Sequence, residues 1–127
     1  MNTQLILIAL GGLIGAVARF SLSLLFVSAS GQFPYATLIA NLVGCFLAGV
    51  LLAINQKTGV LNHEWRAFLV TGVLGGFTTF SAFGIETFSF LQQGLIYQAV
   101  LYISLTVVGG LLTLSLAHLL TTGFLSK

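Results

Sequence analysis

Charge is what this sequence has least of. Of 127 residues, 5% are charged: Arg19, Lys57, Arg66 and Lys127 against Glu64 and Glu86, a formal net charge of +2. A soluble domain needs a charged surface that this chain does not have, and so small a basic excess gives no footprint for nucleic acid. Cys45 is the only cysteine, which excludes an internal disulfide framework. His63 and His118 lie far apart and make no zinc or iron spacing, and no nucleophile and base can be assembled into an intramembrane enzyme. Cys45, set in an apolar run, is expected to be a small packing residue.

Apolar residues fill the space that charge leaves, at 57% of the chain. Crossing a core of about 30 Å takes about 20 residues at about 1.5 Å each. Four segments are long enough, at roughly 5–26, 35–54, 68–91 and 95–120. The expected fold is therefore an all-α integral membrane protein, a single four-helix domain with a lipid bilayer around it. The first span is not expected to be a signal peptide: no Lys or Arg precedes it, Arg19 interrupts it, and it is too long.

The third span holds the most unusual stretch, G-V-L-G-G-F-T-T-F-S-A-F from Gly72 to Phe83. Three glycines followed by Thr78, Thr79 and Ser81 offer the backbone alternatives to regular helical pairing. The expectation is a helix broken near mid-membrane. Unpaired peptide groups are tolerated at that depth only where protein buries them or they line a wet cavity, so the break implies an ion or pore site.

Elsewhere, polar residues punctuate each span. Gly11 with Gly15, and Gly12 with Ala16, form small-xxx-small pairs for close helix packing, as do Gly44 with Ala48 and Cys45 with Gly49. Arg19 is either an interfacial anchor or the wall of an aqueous vestibule. Asn41 either glues helices together or offers amide N–H groups to an anion. Phe33, Tyr35 and Trp65 are expected interfacial anchors, and 55–66 a turn or short surface helix. Phe80 and Phe83 share a helical face; they are core residues, or they turn electropositive ring edges to an anion. Glu86 continues that face as a proton or cation site, or as an acceptor that orients hydroxyls. Tyr102, Thr106 and Thr113 form a partly polar stripe on the fourth span, able to pass an anion along or to back-bond to carbonyls.

Taken together, three motifs resemble the bacterial fluoride channels, the Fluc or CrcB family. They are G-A-x-x-R at Gly15 to Arg19, T-L-x-x-N at Thr37 to Asn41, and G-x-x-G-G-x-T-T-F-S-x-F at Gly72 to Phe83. The resemblance covers the whole chain. It implies an antiparallel, dual-topology homodimer in the bacterial inner membrane, with two fluoride pores and one structural sodium ion on the twofold axis, giving passive fluoride export and no catalysis. By that similarity, the carbonyls of Gly75 and Thr78 hold the sodium. The pore takes Phe80, Phe83, Ser81 and Asn41, with Tyr102, Thr106, Thr113 and Glu86 as its polar track. No other protein partner is implied. One departure stands out: Ala82 occupies a position where the family commonly carries a hydroxyl. A second tension is topological, because Lys57, Arg66 and Lys127 lie on the N-terminal side and only Arg19 on the other. The alternative from a different class is a small proton-coupled exporter of cations centred on Glu86, which leaves the break unexplained.

Overall fold

The computed structural model describes residues 2–26 and 32–126. Part of the first link, 27–31, and the basic end at Lys127 lie outside the described residues. Among those described, the chain is helical and without strands. The first two spans are α1, Asn2–Leu25, and α2, Tyr35–Thr58. The third opens as a short helix, α3, His63–Arg66, then passes without interruption into a π-helical stretch, Ala67–Leu74. It closes with one turn, α4, Gly75–Phe77, and resumes after a break as α5, Phe80–Gln92. The last span is α6, Ile96–Leu125. All four spans are long and apolar enough to cross a membrane, so the protein is multi-pass.

Local chemistry sets the turns. At the end of α2, Gly59 adopts φ 63° and donates its N–H to Asn55 O, which stops the helix. Asn62 caps the third span by accepting from Trp65 N at 2.9 Å. The polar stretch at 55–66 thus splits: α2 runs four residues past the expected end, and the rest leads into the third span. Trp65 is exposed and meets Phe68 edge-on, while Phe33 meets Tyr35 at 5.1 Å, as interfacial aromatic pairs would.

The helices pack as two pairs, α1 on the first half of the third span and α2 on α6. Glycine makes both approaches close. A Cβ on Gly72 would lie 2.9 Å from Gly11 Cα, and one on Gly76 would lie 2.5 Å from Gly12 O. Gly15 faces Val73 O, and Gly49 faces Leu114 O, with no room for a side chain at either. At the far end of the second pair, His118 Nε2 and Gln56 Oε1 are 2.7 Å apart.

Two expectations change here. The glycines of the third span are helical, and Gly72 and Gly76 serve packing; only Thr78 and Thr79 leave the helix. The span is also wound as a π-helix for eight residues, which apolar periodicity could not show. Such stretches usually occur as single turns near functional sites. This one lies directly against α1, where a Cβ on Gly11 would meet both Phe68 O and Val73 N.

Candidate functional site

The break is built by two threonines and an asparagine. Thr78 (φ −82°, ψ 156°) and Thr79 (φ −150°, ψ 121°) are extended. Asn41 in α2 clamps the Thr79 peptide from both sides: its Nδ2 donates to Thr79 O at 3.1 Å, and its Oδ1 accepts from Thr79 N at 2.8 Å. Thr79 in turn caps α5, its Oγ1 accepting from Ala82 N at 3.2 Å. Thr78 folds its hydroxyl back onto Leu74 O at 2.9 Å. On the other side, Arg19 Nε donates to Gly76 O at 3.2 Å.

These bonds redistribute the carbonyls. In an unbroken helix the N–H groups of Thr79 and Ala82 would serve the carbonyls of Gly75 and Thr78. Here one goes to Asn41 and the other to the Thr79 hydroxyl. The α-helical partner of each of these carbonyls is therefore diverted. The break also sets the carbonyl end of one half-helix beside the N–H end of the next, the first favouring a cation and the second an anion.

Phe80 and Phe83 open α5 with ring centroids 5.6 Å apart. Their surroundings differ sharply. Phe83 is 8% exposed and packs on Tyr102 at 5.2 Å, whereas Phe80 is 82% exposed on the outer face of the chain. One turn further, Glu86 accepts two hydroxyl bonds, from Thr37 Oγ1 at 2.7 Å and from Tyr102 O–H at 2.6 Å. Charge-assisted bonds this short fix the carboxylate and both hydroxyls. Tyr102 is fully buried, with Phe33 edge-on against it at 5.4 Å.

Two cavities flank the break. One of about 360 Å³ lies between α1, α2 and α5 and presents Arg19, Ser23, Thr37, Ala82 and Glu86. The other, about 410 Å³, lies further along α2 against Asn41, Cys45, Gly75, Thr78, Phe80 and Thr106. Thr106 brings to it a buried hydroxyl with no partner.

With this geometry in view, comparison with known proteins is informative. The chain matches the family described as "CrcB-like protein, Camphor Resistance (CrcB)" over residues 6–125. The chain belongs to the CrcB family. It is 46% identical over 110 residues to a protein of Methylobacillus flagellatus named "Fluoride-specific ion channel FluC", covering 85% of this chain and 86% of that one. A protein of the same name from Azobacteroides pseudotrichonymphae is 39% identical over 125 residues, 98% of this chain and the whole of the other. A Leptospira interrogans protein, also of that name, is 44% identical over 111 residues.

In this CrcB chain, most of the residues singled out in the sequence gather around the break, though not all in the expected posture. Asn41 spends its oxygen and one N–H on the Thr79 peptide, and the second N–H of its amide takes no part in that clamp. Arg19 turns its guanidinium inward to Gly76 O and walls the smaller cavity. Ser81 is exposed, with its Oγ 3.3 Å from that of Thr79. Thr113 is half-buried about two turns beyond Thr106 and joins neither cavity. Sequence reasoning missed Thr37 as a partner of Glu86 and Thr79 as the clamped peptide. Thr37 lies one helical turn before Asn41 on the same face, which was the available signal.

Proposed function

We propose that this protein is a fluoride channel of the bacterial inner membrane, passing fluoride passively out of the cell. The observation that carries the reading is the break itself: an α-helix beginning inside the membrane at Phe80, its N-terminus flanked by two phenylalanines and a polar cluster. Fluoride entering the Arg19 cleft would exchange water for weak donors: the spare Asn41 N–H, hydroxyls, and the edges of Phe80 and Phe83. Weak, successive contacts suit passage better than one tight site. Names of the relatives support the choice of ion. A proton-coupled exporter would need Glu86 open to its cargo, yet both of its oxygens already accept hydroxyl bonds.

The working unit we infer is an antiparallel homodimer. Support comes from Phe80, Gly75 and the larger cavity, all left on the outer face of one chain, which a second copy would cover. A structural sodium ion fits this arrangement. The carbonyls of Gly75 and Thr78 have lost their helical donors, and two copies would bring four neutral hard oxygens together, a set suited to a hard cation. Bound there, sodium would supply positive charge that offsets the cost of an anion in a low-dielectric interior.

The experiment is fluoride efflux from liposomes carrying Phe83→Ile beside wild type. The variant, which keeps apolar volume and loses the ring edge, is expected to slow efflux at least tenfold, a barrier change of about 1.4 kcal/mol. Equal rates would remove the ring edges from the pathway.

A further inference from the structure

Next to the larger cavity, a third of about 240 Å³ reaches toward the start of the third span. It lies in the seam between the two helix pairs, where α2 and the third span diverge. Its polar end carries Arg66 and Asn55, and its walls are apolar, formed by Leu51, Leu61, Val70 and Leu114. Arg66 is exposed and makes no ion pair among the described residues; Glu64, two residues away in the same helix, does not face it. No carboxylate lines the groove. Exposed Trp65, next in sequence to Arg66, fixes this end at the interfacial level.

We infer that this groove is a binding site for an anionic phospholipid. A guanidinium at the membrane surface matches a lipid phosphate bidentately, and the Asn55 amide adds a donor beside it. One acyl chain would follow Leu51, Val70 and Leu114 down the seam, filling space that the two helix pairs leave between them. Lys57, at the same end of α2, favours a headgroup of net negative charge over a zwitterionic one. Charge and apolar shape therefore select one occupant, a phospholipid such as phosphatidylglycerol. The site adjoins the larger cavity, sharing Ala48 and Val70 with it, but its polar end at Arg66 and Asn55 lies outside that cavity and does not depend on which ion the chain passes.

The test is native mass spectrometry of the purified protein with equimolar phosphatidylglycerol and phosphatidylcholine, with thermal melting measured in each lipid. Wild type is expected to retain phosphatidylglycerol about fivefold over phosphatidylcholine and to melt higher in it. Arg66→Gln is expected to abolish the preference, and Leu114→Trp, which fills the apolar part, to lower retention of both lipids. Equal retention of the two lipids by wild type overturns the proposal and needs no variant to fold. So does an equal rise in melting temperature with inorganic phosphate, which would mark a free-anion site. A preference unchanged by Arg66→Gln while the dimer loosens would assign the groove to a subunit contact and overturn it as well.

Discussion

Glu86 sits inside the membrane with both oxygens engaged, and this decides what it can do. A carboxylate held by Thr37 and Tyr102 orients two hydroxyls and keeps the wall beside Phe83 rigid. Tyr102→Phe removes one of these bonds and is expected to destabilise the protein by about 1–2 kcal/mol, the upper range for polar contacts between membrane helices. Melting of the purified protein checks it, and a Glu86→Gln, Tyr102→Phe double variant should cost less than the sum of the two. Ala82 is the other residue whose effect can be stated. It walls the Arg19 cleft beside Glu86 and brings no hydroxyl there. Ala82→Thr is expected to speed fluoride efflux severalfold by adding a donor; a slower rate would show that bulk at this position matters more than hydrogen bonding.

At the scale of elements, the third span depends on two separate devices. The first is the glycine contact with α1. Gly15→Ala forces a Cβ onto Val73 O and Phe77 N and is expected to disrupt the pair, with loss of folded protein. Gly84→Ala meets nothing within 4 Å and is expected to be tolerated, even gaining up to about 1 kcal/mol of helix propensity. The contrast is measured by yield and melting temperature. The second device is the Asn41 clamp. Asn41→Leu leaves the Thr79 peptide unpaired, which should cost about 1–3 kcal/mol, and returns its N–H toward Gly75 O. If those carbonyls hold sodium, the variant is expected to lose most of the difference in melting temperature between sodium and choline buffers. An undiminished difference would detach Asn41 from the cation site.

Much of this was legible in the chain. Four apolar runs gave the spans, and Thr78-Thr79 after three glycines gave the break. What stayed hidden were properties of packing. A small-xxx-small pattern cannot say which helix it will meet, so the match of Gly11, Gly12 and Gly15 to Gly72 and Gly76 needed coordinates. Glycine propensity pointed the break at residues that proved helical. Thr37 and Asn41 reach partners 49 and 38 residues away, and no local period encodes such pairings.

For the whole molecule, the surface around the break is only partly covered by the chain itself. The Arg19 cleft is walled by helices of a single copy, while Phe80, Gly75 and the larger cavity face outward. In the dimer proposed above, a second copy would cover that outward face. Covalent linkage of two copies in inverted orientation is expected to retain fluoride flux, and linkage in the same orientation to abolish it.

Fluoride efflux from liposomes most directly tests the central claim. Purified protein is reconstituted, potassium is clamped with valinomycin, fluoride release is followed with an electrode, and chloride release is measured in parallel. Expected is rapid fluoride release with negligible chloride release, unaffected by an imposed proton gradient. Absence of fluoride release from folded protein, or release that tracks the proton gradient, would contradict passive fluoride conduction and return Glu86 to the centre of the mechanism.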